Sequence, residues 1–289
     1  MIWCGPRAAA SAVVAVALSF SLGSMSVAEE APQRVVAVGG AVTEIVYALG
    51  EEGRLVARDT TSNHPPAALD LPDVGYIRAL SAEGVLSVNP DMILSETGAG
   101  PIETIELLRE AAVPVVEVNG GFSRDAIGDK VMSVAAVLGV PEKGAALAAK
   151  VDAEIAAAMT RIDATHRPKV LFVLSTAGGR VMAGGQNTSA DAIIALAGGQ
   201  NAAIGFEGFK PITDEAIVTS GAEVILMMDR EGDHDASLAD LKAHPSLGQT
   251  PAVQKGALVR IDGMLLLGFS VRTGQAISDL AAALAKVAS

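Results

Sequence analysis

Short runs of apolar and β-branched residues recur along the chain, alternating with stretches whose apolar positions follow a helical period. Arg34-Val35-Val36-Ala37-Val38 reads as a buried strand closed by Gly39-Gly40. Thr43-Glu44-Ile45-Val46-Tyr47-Ala48-Leu49 reads as a helix stopped by Gly50, since glycine takes the left-handed conformation that ends helices at little cost. Met92-Ile93-Leu94, Val115-Val116-Glu117-Val118, Val170-Leu171-Phe172-Val173-Leu174, Val224-Ile225-Leu226-Met227 and Leu258-Val259-Arg260-Ile261 read as further strands. With helical patterns between them, this order predicts an α/β protein with largely parallel sheets.

The middle of the chain departs from that rhythm. Pro141 is a good first residue of a helix, and from there to about Ile162 the sequence is alanine-rich with spaced charges. One long helix is expected within residues 141–166, linking an N-terminal lobe over 29–140 to a C-terminal lobe over 167–289. An internal echo supports the division. Glu83-Gly84-Val85-Leu86-Ser87-Val88-Asn89-Pro90-Asp91-Met92-Ile93-Leu94 aligns without gaps on Glu215-Ala216-Ile217-Val218-Thr219-Ser220-Gly221-Ala222-Glu223-Val224-Ile225-Leu226. Each copy reads as helix, turn and strand, and each opens on a glutamate that core packing does not require.

Composition narrows the possible partners. The first residues read as an export signal: Arg7, an apolar run from Ala8 to Leu22, then Ser26-Val27-Ala28, the small-x-small form of a signal-peptidase site. Cleavage after Ala28 is expected, over a signal peptide of residues 1–28, with the mature protein in the periplasm. That cleavage removes Trp3 and Cys4, the only tryptophan and cysteine, so no disulfide framework or cysteine nucleophile is expected. A formal net charge of −12 argues against nucleic acid and anionic membrane as partners.

Candidate chemistry concentrates in Leu71-Pro72-Asp73-Val74-Gly75-Tyr76-Ile77-Arg78-Ala79-Leu80, which holds one of only two tyrosines. A Tyr-x-Arg pair after a Pro/Gly turn can present a phenol oxygen with a cation beside it. Such a cation favours the ionised phenolate, a ligand suited to a hard, oxophilic metal such as ferric iron. Taken alone, the pair reads first as a turn tyrosine packed on a lobe edge beside a surface arginine.

Several segments together resemble the periplasmic haem-binding proteins of bacterial ABC haem importers, within the helical-backbone (class III) substrate-binding superfamily. They are Gly39-Gly40-Ala41-Val42-Thr43-Glu44, Asp59-Thr60-Thr61-Ser62, the Leu71–Gly84 segment, Gly185-Gln186-Asn187-Thr188 and Leu265-Leu266-Leu267-Gly268-Phe269, in the family's order. The resemblance implies two Rossmann-like lobes joined by one long helix, with the ligand in the cleft between them. It implies ferric haem b as transported ligand, Tyr76 as axial ligand to its iron and Arg78 at the phenol oxygen, with no catalytic cofactor. Tyrosine is an established haem ligand, and its ordinary pKa near 10 must fall for it to bind as phenolate. Some relatives carry histidine at the position of Thr176 and hold a stacked pair of haems; threonine here implies one haem with tyrosine-only ligation. In this superfamily a surface glutamate on each lobe meets the inner-membrane permease, which the resemblance assigns to Glu83 and Glu215. A monomer is expected.

Other cleft candidates are His64 in a Pro-rich turn, Phe206, Phe209 and Lys210, Arg230 after a strand, and Met264 and Phe269 near the C-terminus. Ordinary packing describes each equally well, and His166, His234 and His244 read as surface residues without ligand spacing. The alternative within the binding class is a siderophore or corrinoid carrier. A nucleotide-dependent enzyme fits less well, because Gly39-Gly40-Ala41-Val42-Thr43-Glu44 is not G-x-G-x-x-G.

Overall fold

In the computed structural model, which describes residues 1–3, 31–162, 165–229 and 236–288, the chain forms two sheets, each covered by helices on both faces. The expected signal peptide and its cleavage site fall almost wholly outside the described residues, as do Arg230 and His234. The first sheet contains β1 (Val35–Val38), β2 (Leu55–Arg58), β3 (Met92–Glu96) and β4 (Val115–Val118), all parallel in the order β2-β1-β3-β4. Parallel strands need crossovers, supplied here by α1 (Gly40–Ala48), α2 (Ala82–Leu86) and α3 (Ile102–Glu110), with α4 (Arg124–Val137) following β4. Val35, Ala37 and Leu94 pack with Val42, Ile45, Val131 and Val134 on one face; Val36, Val38 and Ile93 pack with Val85, Ile105 and Leu108 on the other. Burial on both faces explains why these strands read as unbroken apolar runs.

The helix α5 (Pro141–Met159) has its proline at the first turn, where the missing N–H costs nothing. It stops short of residue 166. The Thr160 amide still bonds to Ala156 O, but the Thr160 hydroxyl donates to Ala157 O at 2.9 Å and the chain turns away. Leu147 on this helix packs against the cores of both lobes. Its ion pairs also reach the first lobe: Lys143 Nζ lies 2.6 Å from Glu51 Oε1, and Arg124 pairs with Asp152. The Lys143 hydrogen bond holds the Glu51 carboxyl below the usual carboxylate range.

The second sheet is mixed. Its strands are β5 (Lys169–Ser175), β6 (Met182–Gly184), β7 (Gln200–Asn201), β8 (Phe209–Pro211), β9 (Val224–Asp229) and β10 (Leu258–Asp262). They run β10-β9-β5-β6-β8, with β7 beside β5; β6 and β8 are antiparallel to their neighbours and the others parallel. The expectation of largely parallel sheets thus holds except on the β6–β8 edge. Met-Ala-Gly and Phe-Lys-Pro are too short and too poor in β-branched residues to announce strands, and the proline is tolerated because β8 lies at an edge. Covering helices are α6 (Ser189–Leu196), α7 (Asp214–Thr219), α8 (Leu238–Ala243), α9 (Pro251–Lys255), α10 (Gly263–Leu267) and α11 (Thr273–Ala288).

From Ala31 onward the chain packs as one unit, and charged groups fasten its two sheets together. Lys130 of α4 is 0% exposed; its ammonium donates to Glu96 Oε1 and to the Phe269 carbonyl, both at 3.0 Å. Glu44 of α1, only 4% exposed, accepts from the Ser270 hydroxyl and the Arg272 guanidinium. Phe122 meets Phe269 edge-on with ring centroids 5.4 Å apart. A buried charge is tolerated only when paired, and removing one partner strands the other. Lys130→Met should therefore lower unfolding stability by roughly 3 kcal/mol in urea titration, with part of the loss recovered by adding Glu96→Gln. A loss below about 0.5 kcal/mol, the scale of an exposed pair, would show that the link is dispensable.

Candidate functional site

The carboxyl ends of the two sheets meet. Gly40, the second residue after β1, lies against Met264, the second residue after β10: a Cβ there would stand 2.5 Å from Met264 Cε and 2.9 Å from Thr61 O. Gly39 has φ +110°, and a Cβ there would come within 2.7 Å of Glu96 at the end of β3. Both glycines are thus required by close approach, which accounts for the Gly-Gly after the first strand. In open α/β sheets the carboxyl end is where ligands bind.

Asp59, directly after β2, organises the first-lobe side. Its carboxylate, 0% exposed, accepts from the Gly39 amide at 2.9 Å, the Ser62 hydroxyl at 2.6 Å and the Thr61 amide and hydroxyl at 3.0 and 2.7 Å. The Thr43 hydroxyl donates to Ser62 Oγ at 2.7 Å. Two sequence motifs, Gly39–Glu44 and Asp59–Ser62, are thereby one hydrogen-bonded network, and His64 follows it, half-buried.

The Tyr76 loop is fastened beside it. Buried Arg58 donates to Asp73 Oδ2 at 2.9 Å, Ala68 O at 3.1 Å and Asp59 O at 3.0 Å. Asp73 Oδ1 accepts from the Gly75 amide at 2.8 Å and the Thr60 hydroxyl at 3.2 Å. Backbone bonds from Arg58 N to Pro72 O, Val74 N to Arg58 O and Thr60 N to Gly75 O continue the parallel pairing past β2. Beyond Tyr76, Gly100 N donates to Ile77 O and Leu80 N to Gly100 O, while Val74 and Leu80 are buried in the lobe core. Tyr76 is therefore held from both sides and is itself 46% exposed. Neither its hydroxyl nor the exposed Arg78 guanidinium has a hydrogen-bond partner among the described residues, and the two do not bond to each other. An exposed phenol on a rigid loop, with an unpaired cation two residues on, can accept a Lewis acid without first breaking an internal bond.

The other predicted residues separate into groups. Met264 lies at the junction, half-buried. Phe269 is 1% exposed and offers its carbonyl to Lys130. Thr176 is half-buried at the start of the β5–β6 turn, on the carboxyl edge of the second sheet. Phe206 packs over Gly185 against one core of the second lobe; Phe209 stacks edge-on with Phe172 at 6.1 Å on the opposite core. Lys210 is exposed on β8. Glu83 and Glu215 take the same position, second in α2 and α7, behind the capping hydroxyls of Ser81 and Thr213; both are exposed, and each helix leads into a parallel strand. A groove of about 570 Å³ between α5 and α11, lined by Arg161 and His166 among others, lies away from all of these.

Sequence reasoning missed Lys130, Glu96, Arg272 and the role of Asp59. Lys130 carried a visible signal: it falls on the apolar stripe of α4 with Ile127, Val131 and Val134, where a charge is out of place without a buried partner.

The periplasmic binding protein family model matches residues 35–265, and the chain belongs to that family, in the helical-backbone (class III) substrate-binding superfamily. Among solved structures it is similar to the periplasmic heme-binding protein RhuT from Roseiflexus sp. RS-1 in apo form, at 39% identity and a TM-score of 0.84, covering 89% of this chain and 99% of that one. The periplasmic heme-binding protein BhuT in complex with two hemes gives 38% identity, a TM-score of 0.84 and the same coverage. A vitamin B12-binding protein of Vibrio parahaemolyticus is 23% identical over 220 residues, 76% of this chain and 79% of that protein. No helix among the described residues is long and apolar enough to cross a membrane.

The brace on the Tyr76 loop is open to test. Asp73→Ala should cost about 2 kcal/mol, because buried Arg58 loses its counter-charge and the Gly75 amide its acceptor. Hydrogen exchange should quicken at the amides of Val74, Gly75 and Ala79 and stay unchanged in β1; uniform protection across the loop would contradict the brace.

Proposed function

We propose that this protein is a periplasmic carrier that captures ferric haem through Tyr76 and delivers it to an ABC importer in the inner membrane. The family consists of ligand carriers, and the solved heme-binding relatives match nearly their whole length. The observation that carries the reading is the exposed, unpaired Tyr76 on a loop fastened to the carboxyl end of β2 by the Arg58–Asp73 pair. Iron bound at the phenol oxygen would supply most of the pKa fall that makes it a phenolate, and Arg78 would stabilise the anion without itself deprotonating. Thr176, in place of histidine, leaves Tyr76 as the single axial protein ligand to one haem. Affinity would come from the Fe–O bond, burial of the porphyrin face and pairing of its carboxylates. His64, Met264, Phe206, Phe209, Lys210 and Arg230 are the remaining candidates for the ligand's surroundings.

A corrinoid carrier is the second reading, favoured by the likeness to vitamin B12-binding proteins over three quarters of the chain. Hemin titration separates them. Tyr76→Ala should lose the tyrosinate-to-iron charge-transfer absorption and weaken hemin binding by roughly 100-fold or more, and Arg78→Ala by about tenfold. Equal hemin affinity in parent and Tyr76→Ala would refute the axial role, and cyanocobalamin binding tighter than hemin would favour the corrinoid.

Delivery would use Glu83 and Glu215, placed alike at the starts of α2 and α7 to meet cationic pockets on the permease in register. The helix dipole favours a carboxylate at either position on its own, so only a transport measurement decides. Glu83→Arg combined with Glu215→Arg should abolish haem-dependent uptake with hemin affinity unchanged; undiminished uptake would remove the docking role.

A further inference from the structure

Arg180 was singled out by neither the strand pattern nor the family motifs. It ends the turn joining β5 to β6, on the carboxyl edge of the second sheet, four residues after Thr176. The turn is sharply shaped: Gly178 and Gly179 have φ +66° and +72°, and nothing lies within 4 Å of where either side chain would be. Side-chain-bearing residues rarely adopt that conformation in succession, so the glycines set where the chain re-emerges at Arg180. His244 ties the turn to the body of the lobe. Its Nδ1 faces the amides of Ser246 and Leu247 at 3.4 Å, which assigns Nε2 as the protonated nitrogen that donates to Gly179 O at 3.3 Å. The Arg180 side chain is exposed and has no hydrogen-bond or ion-pair partner among the described residues.

A braced turn that presents a guanidinium unpaired among the described residues, on a chain of net charge −12, can receive an anion. The edge it stands on continues that of β10, whose following residues meet the Gly40 and Thr61 end of the first sheet. We propose that Arg180 binds the ligand's carboxylate edge, so that the first lobe holds the metal and the second lobe the acid. The assignment rests on the haem reading: haem b carries its two propionates on one edge of the macrocycle. A guanidinium fork pairs with a carboxylate through two parallel N–H···O bonds, which fixes the in-plane orientation of the ring as well as adding affinity.

The test compares hemin with hemin dimethyl ester, in which both carboxylates are masked, on the parent and on Arg180→Ala. The substitution is on an exposed turn position and should leave the fold and the tyrosinate band intact. Arg180→Ala should weaken hemin binding about tenfold and leave the ester's affinity unchanged, so that discrimination between the two ligands largely disappears. Arg180→Lys, which keeps charge without the fork, should fall between. Equal hemin affinity in parent and Arg180→Ala, or an equal loss for hemin and its ester, would overturn the assignment while leaving Tyr76 ligation standing. A parent protein that binds no hemin would instead remove the haem reading, and this assignment with it.

Discussion

The arrangement depends on one desolvated ammonium group. Lys130 reaches from α4 through the junction with no exposed surface, and its charge is tolerated because Glu96 and the Phe269 carbonyl both face it at 3.0 Å. Neither partner is optional: the carboxylate supplies the counter-charge, and the carbonyl fills a second donor site in a medium without water. Because one partner ends β3 and the other follows α10, any sliding of one sheet against the other would break this contact. Glu44 repeats the device from α1, accepting from Ser270 and Arg272. Two buried charged links of opposite polarity, together with Leu147 touching both cores, make the junction specific in register as well as adhesive.

That fastening decides where a ligand can sit. Glu44, Glu96 and Phe122 follow or end β1, β3 and β4, so these three strands of the first sheet have their carboxyl ends committed to the junction. The edge strand β2 is different. Its continuation is the Asp73–Tyr76 segment, bonded to the first lobe, and there Tyr76 has no side-chain partner among the described residues. In the second sheet, β10 is occupied by Met264 and Phe269 at the junction, whereas the β5–β6 turn is held by His244 of its own lobe. The interactions that hold the lobes together therefore do not draw on the Tyr76 loop of the first lobe or on the β5–β6 turn of the second.

Much of this was legible in the chain. The apolar runs gave β1, β3, β4, β5, β9 and β10 but not the edge strand β2; Gly50 ended the first helix, and Pro141 opened the linking one, because local propensity and burial agree at those positions. The paired glutamates emerged from an internal alignment and take equivalent helix positions, since a repeated helix–turn–strand unit repeats its capping chemistry. What failed to show was non-local. The edge strands β6 and β8 exist through pairing with β5 and each other, not through their own residues. Phe206 and Phe209, read as cleft candidates from their rarity, split between opposite faces of the second lobe. Arg180 went unread in the sequence, because its turn geometry, the His244 tether and its lack of a counter-charge among the described residues are non-local.

The unpaired state of the loop groups bears on how tightly a ligand could be held. Association is opposed by the ordering of side chains and by any internal bonds that must first be broken. At Tyr76 the backbone is already ordered, because Arg58 and Asp73 fix it on one side and Gly100 on the other, and no acceptor among the described residues competes for the hydroxyl. Overall charge acts in the contrary sense: a chain of −12 repels an anionic ligand at long range, with a field that physiological salt screens beyond about 8 Å. Within that distance the local cations count more than the sum, and Arg78 and Arg180 stand on the loops the junction leaves free. Long-range repulsion with short-range attraction slows encounter while leaving the local cations able to hold an acidic group that comes within reach.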